Sequence, residues 1–150
     1  MKEINENKSI NKIKFIILKS KLKRKDNPEG CFQRFLERKG YDVYKCIDLP
    51  VRNLPKDKIK RLFKTEEEYH IIKRKFIKKL DKYLINERRT DRLISLIKKE
   101  GCPDFLVFND EKLFFIELKS NGDGLRLSQL EWVIKSEKEH KIQCYVAYFT

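Results

Sequence analysis

Two hydrophobic periods divide the chain. Between Asn27 and Gly40 the residues Cys31, Phe32, Phe35 and Leu36 recur at helical spacing and make one apolar stripe. Asn27 is placed to cap that helix, Pro28 to take its first position, and Gly40 to end it in the left-handed conformation. Glu29 and Gln33 lie one turn apart at the stripe's edge, where a side chain can enter a cleft while the helix stays packed. Thr65 and Glu68 form a capping box, and the following helix carries Tyr69, Ile72, Phe76, Leu80 and Tyr83 at steps of three or four. A further helix is predicted over Thr90 to Glu100, with Leu93, Ile94 and Ile97 inward and Gly101 as its stop. Ser128 and Glu131 form another capping box, opening a helix to about Glu139 with Leu130, Val133 and Ile134 toward the core. The stretch from Lys12 to Lys25 mixes apolar residues with seven Lys/Arg and is expected to be helical.

The second period is that of strands. Tyr41 to Leu49 alternates, with Tyr41, Val43 and Lys45 on one face. Phe105 to Phe108 and Leu113 to Ile116 flank the polar tetrad Asn109-Asp110-Glu111-Lys112, which predicts a hairpin. Ile142 to Phe149 closes the sequence as a buried strand. Such nearly continuous apolar runs belong to a sheet covered on both faces. The pattern predicts an α/β core in the order α-β-β-β-α-β. Residues 28–49 and 101–150 would form it, with a basic arm over 1–27 and a helical insertion over 50–100.

Chemistry concentrates on the hairpin. Symmetry about Asp110 and Glu111 sets Asp104 opposite Glu117, with Cβ atoms roughly 4.5–5.5 Å apart. Opposed like charges destabilise a sheet and invite a cation. Glu117 and Lys119 share a face because side chains alternate. Two carboxylates for a hard metal with an ammonium beside them suit phosphodiester hydrolysis.

Charge sharpens that picture. The chain has 150 residues and a net charge of +13, unevenly placed. Residues 51–100 carry seventeen Lys/Arg against eight acids, whereas residues 101–150 carry six against eight. The half with the hairpin motif would therefore repel a polyanion unless a metal sits there. Lys73, Arg74, Lys78 and Lys82, with Arg88 and Arg89, are the candidate nucleic-acid contacts. The four cysteines have no paired spacing and neither histidine stands at a ligand spacing from one, which argues against zinc and for reduced core thiols. No glycine-rich phosphate loop supports ATP hydrolysis. No apolar run is long enough to cross a bilayer or act as a secretory signal, so a soluble, cytoplasmic protein without a membrane partner is expected.

These residues together resemble the PD-(D/E)xK nuclease superfamily and, within it, the VRR-NUC family of virus-type replication-repair nucleases. The resemblance rests on Glu29 and Gln33, on Gly-x-Pro-Asp at Gly101 to Asp104, and on Glu117-Leu118-Lys119. Ser128-Gln129 with Trp132 follows the family's Ser-x-x-Gln-x-x-Trp region loosely, since serine and glutamine are adjacent here. The match covers 28–49 and 101–149. It implies a restriction-endonuclease-like core in which Asp104, Glu117 and the Leu118 carbonyl hold Mg²⁺ or Mn²⁺. By the same resemblance Lys119 serves the attacking water and the phosphate, Glu29 extends the carboxylate cluster, and Gln129 orients Lys119 or the nucleophile. Trp132 is read as core packing. The implied function is a structure-selective DNA endonuclease acting on Holliday junctions or flaps in replication, repair or recombination, as a homodimer. The alternatives are a sequence-specific restriction-type endonuclease and a basic nucleic-acid-binding module that keeps the fold without the chemistry.

Overall fold

The structure, a computed structural model, describes residues 14–18, 27–52, 54–85, 87–120 and 122–149. Two compact units divide the chain, one of residues 1–46 and 100–150 and one of Ile47–Lys99.

The first unit is built on a five-stranded sheet in the order β1-β5-β4-β3-β2. Its strands are β1 (Lys14–Leu18), β2 (Asp42–Lys45), β3 (Phe105–Phe108), β4 (Leu113–Ser120) and β5 (Gln143–Phe149). Strand β3 pairs antiparallel with both β2 and β4, whereas β5 pairs parallel with both β4 and β1. Parallel neighbours need a crossover, and α5 (Leu127–Lys135) with a wider π-helical turn over Ser136–His140 supplies it between β4 and β5. Helix α1 (Pro28–Arg38) precedes β2. The mixed sheet flanked by helices is the α/β architecture that the hydrophobic pattern predicts.

The helix expected over Lys12 to Lys25 is corrected. Lys14–Leu18 is a strand, paired residue for residue with Tyr145–Phe149, and the other residues of that stretch lie outside the described ones. Adjacent isoleucines favour a pleated backbone, and the edge of β5 offers the ladder that a lone amphipathic helix lacks. The strand expected over Tyr41 to Leu49 is shorter. It stops at Lys45, where the Cys46 N–H turns to the Asp104 carbonyl at 2.9 Å, and a 3₁₀ turn follows over Cys46–Asp48.

Helix α1 begins and ends as its capping residues dictate. The Asn27 side chain accepts from the Gly30 N–H at 3.3 Å, and Gly40 has φ of 92°. Phe32 and Leu36 bury the stripe against Phe105, Val107, Ile116, Leu118 and Ala147. The Phe32 and Phe105 rings meet edge-on at 6.0 Å. Burying each such ring contributes roughly 1.5–3 kcal/mol. On the opposite face Phe115 meets Trp132 edge-on at 4.8 Å, so the tryptophan packs the core. The hairpin turn is tied by Asn109, whose Oδ1 accepts from the N–H groups of Glu111 and Lys112, both at 2.8 Å.

The second unit holds α2 (Lys56–Phe63), α3 (Glu66–Leu84) and α4 (Glu87–Ile97). The Thr65 hydroxyl caps α3 by accepting from the Glu68 N–H at 3.1 Å. Tyr69, Phe76 and Leu80 of the predicted stripe are buried, joined by Leu84, while Ile72 and Tyr83 are half-buried. The Tyr69 hydroxyl donates to the Pro50 carbonyl at 2.7 Å, which anchors the helix to the unit's first residues. The helix expected over Thr90 to Glu100 is displaced toward the N-terminus and ends at Ile97, four residues before Gly101. Among the described residues, no helix is long and apolar enough to cross a membrane.

Candidate active site

Strand β4 sorts its side chains onto two faces. Phe114, Ile116 and Leu118 turn toward α1, and Phe115, Glu117 and Lys119 toward α5. The hairpin register pairs Phe105 with Ile116, so one step on Asp104 stands opposite Glu117, as the symmetric turn predicts. The Asp104 carboxyl lies within hydrogen-bonding reach of Glu117, so the two acids bear directly on each other. Glu117 is only 4% exposed. Burial above all, then the hydrogen bond and charge of Asp104, push its carboxyl up to about 9, with Lys119 acting in the opposite sense.

Each carboxyl is also held from outside the pair. Asp104 Oδ2 accepts from the Leu118 N–H at 2.8 Å. Glu117 Oε2 accepts from Gln129 Nε2 at 2.6 Å, while Gln129 Oε1 accepts from the Arg126 N–H at 2.9 Å. These two bonds explain why a glutamine suits this position: one end of its amide must donate and the other accept. They also correct two expectations. The cap of α5 is Arg126 rather than Ser128, with Gln129 closing the first turn, and the Gln129 amide reaches Glu117 rather than Lys119.

Gly101 and Pro103 gain a physical reason. A Cβ on Gly101 would lie 2.2 Å from the Ser128 carbonyl oxygen, and its φ is +93°. Only glycine lets the segment before Asp104 touch the start of the Gln129 helix. Gly101→Ala should therefore cost at least about 2 kcal/mol, the scale of overpacking plus backbone strain. Urea unfolding would measure this, and a variant as stable as the wild type would show that the close approach is not needed. Continuing the register sets Pro103 opposite Leu118. Proline has no N–H, so β3 offers no ladder donor to the Leu118 carbonyl.

Glu29 lies elsewhere. It is half-exposed in the first turn of α1, and its Oε2 stands 3.9 Å from Lys45 Nζ. Among the described residues no three His, Cys, Asp or Glu side chains gather as a metal cluster, so Glu29 is not joined to the Asp104–Glu117 pair. The reason is topological, since α1 covers the face of β4 opposite Glu117. The two faces meet only around the end of β4. There a cleft of about 350 Å³ is lined by Asn27, Pro28, Glu29, Leu118, Lys119, Ser120 and Asp123. Ser120 donates its hydroxyl to Asp123, whose N–H returns to the Ser120 carbonyl at 3.1 Å and closes the turn after β4.

No protein-family model matches this chain, and no curated protein matches it in sequence. Solved structures do. A crystal structure of paFAN1 bound to 2nt 5′flap DNA with gap superposes with a TM-score of 0.50 at 13% identity, covering 92% of this chain and 37% of that one. A second, of paFAN1 bound to 1nt 5′flap DNA with gap, gives 0.49 at 16% identity, covering 92% and 38%. The chain thus spans little more than a third of the paFAN1 chain. At this identity the likeness is one of fold.

The candidate nucleic-acid contacts lie on the second unit. Arg74, Lys78, Lys82 and Arg88 are exposed and Lys73 is half-buried. Arg89 turns inward, with a guanidinium N–H donating to the Leu84 carbonyl at 3.4 Å. All four cysteines are free thiols, and burial pushes that of Cys144 up to about 12. Lys45 is the site-adjacent residue that the sequence reading left without a role. Its alternation with Tyr41 and Val43 marked its face, but not the acid it would meet across that face.

Proposed function

We propose that this chain is a metal-dependent DNA nuclease that hydrolyses phosphodiester bonds, preferring branched DNA with a flap or junction. The observation that carries the reading is the Asp104–Glu117 pair, two carboxyls set opposite each other by the hairpin register and each held by a separate donor. The donor set fits Mg²⁺ or Mn²⁺, since two carboxylates and the Leu118 carbonyl are all hard oxygens. Such an ion, when bound, supplies Lewis-acid polarisation of the phosphate and of the attacking water.

The chain's own groups do the rest. Gln129 fixes one oxygen of Glu117, and the Leu118 N–H fixes one oxygen of Asp104, so neither carboxylate has to be ordered during the reaction. Lys119, on the same strand face as Glu117, either deprotonates the attacking water as a neutral amine or, as an ammonium, positions it and offsets charge on the oxygens of the pentavalent phosphate. Glu29 contributes from the rim of the cleft, through water. The preference for flaps is supported by the shared fold with paFAN1, which is bound to 5′flap DNA. We extend the reading to a homodimer, by analogy with stand-alone nucleases of this fold.

A cleavage panel of linear, flapped, splayed and four-way DNA in Mg²⁺, Mn²⁺ or EDTA tests the proposal. Metal-dependent cleavage of the branched substrates is expected. Cleavage of linear DNA at one sequence would favour a restriction-type enzyme, and binding without cleavage would favour a non-catalytic module. Sedimentation velocity tests the dimer.

The exposed basic face of α3 should supply affinity rather than chemistry. Changing Lys73, Arg74, Lys78 and Lys82 to glutamine should weaken binding to every DNA shape. The slope of log K against log salt should flatten by roughly 0.9 for each lost phosphate contact. An unchanged slope would remove this face from the DNA contact.

A further inference from the structure

We propose that Lys45 is a substrate-binding residue, whose ammonium leaves Glu29 to hold a phosphate of the DNA strand entering the cleft. The inference rests on the nuclease reading above and adds to it a residue outside the Asp-Glu-x-Lys motif.

Three observations converge on Lys45. It is the last residue of β2, paired with Phe105, and the next residue donates its N–H to the Asp104 carbonyl at 2.9 Å. Its backbone is thereby fixed beside the carboxyl pair. Its Nζ stands 3.9 Å from Glu29, a residue that lines the cleft together with Leu118 and Lys119. Finally, 3.9 Å is a charge contact and not a hydrogen bond. The Lys45 side chain is 37% exposed and, among the described residues, makes no hydrogen bond with its three donors.

Electrostatics supplies the need. Glu29 and Asp123 line the cleft, and Lys119 is the single cation among its lining residues. A phosphate approaching such a rim meets more negative charge than positive, even with the carboxyl pair neutralised. A second ammonium, held on a rigid strand and loosely engaged, corrects that balance. A half-exposed ion pair is worth only about 0–1 kcal/mol, so exchanging Glu29 for phosphate costs little. The same exchange frees the Glu29 carboxylate to turn toward water in the cleft.

The test measures binding of a 5′-flap duplex by wild type, Lys45→Met, Lys45→Arg, Glu29→Gln and the Lys45→Met/Glu29→Gln double variant. Ca²⁺ replaces Mg²⁺ so that binding is read without turnover. Lys45→Met should weaken binding about tenfold and lower the salt slope by roughly 0.9, the signature of one lost phosphate contact. Lys45→Arg should restore most of the affinity, and melting temperatures should stay close to wild type. The loss should persist in the Glu29→Gln background, because the contact is to DNA. If Lys45→Met leaves affinity and slope unchanged, or its effect vanishes in the Glu29→Gln background, Lys45 serves only to hold Glu29 and the inference fails. Wild-type protein that neither binds nor cleaves the duplex would instead overturn the nuclease reading itself.

Discussion

Glu117→Gln should abolish metal-dependent cleavage and, in the metal-free protein at pH 8, raise stability by a few kcal/mol. Both effects follow from one environment. Burial and the neighbouring Asp104 push the Glu117 carboxyl up to about 9, against an ordinary value of 4.5. A carboxyl raised in this way favours the fold while it keeps its proton, so its contribution is full below about pH 4.5 and is lost as pH rises toward 9. Glutamine removes that dependence without removing the hydrogen bonds. Its carbonyl can accept from Gln129, and its amide N–H can donate to Asp104. Thermal unfolding from pH 4.5 to 9 in EDTA would show the wild type falling behind the variant as pH increases. On the scale of a few degrees per kcal/mol, the gap at pH 8 should be about 5–10 °C. Mg²⁺ should close the gap by stabilising the wild type alone, since a cation offsets the carboxylate charge that burial disfavours. A gap independent of pH, or a variant that still cleaves, would mean the pair is not what it is taken to be.

Asp104→Ala and Asp104→Asn should both lose cleavage yet differ in stability. The carboxylate that would hold the metal is gone in each. In the alanine variant, however, the Leu118 N–H also loses the acceptor it meets at 2.8 Å. A part-buried donor left without a partner costs about 1–3 kcal/mol. Asparagine keeps an oxygen for that N–H, so its loss should be confined to chemistry. Duplex binding in EDTA should be retained or slightly tighter in both, because a charge that repels phosphate has been removed. Cleavage assays and urea unfolding of the pair would decide it. Equal stability of the two variants would show that the Leu118 bond contributes nothing, and residual cleavage in either would move the metal elsewhere.

Much of this site was legible in the linear sequence, for local reasons. Alternation within two apolar runs and a symmetric tetrad between them set the hairpin register, and with it the opposition of Asp104 and Glu117. Capping chemistry placed α1 and α3, because Asn27, Pro28, Gly40 and Thr65 act within their own turns. What failed was whatever depended on a partner distant in sequence. Lys14–Leu18 became a strand because β5, about 130 residues later, offered it an edge. Gln129 turned to Glu117 because α5 began at the residue after Arg126, a boundary set by packing and not by the serine that would have capped it.

The sequence by itself determined which residue types were present and which lay within one turn or one strand of each other. That covers the α/β class, the two carboxylates and the lysine beside them. Tertiary structure decided which face each group served. It set Glu29 and Lys45 together on the α1 side of β4, and Gln129 with Glu117 on the α5 side. It also brought the Ser128 carbonyl so near Gly101 that no side chain fits there. Periodicity places a side chain on a face, but only the packed sheet determines what stands across from it.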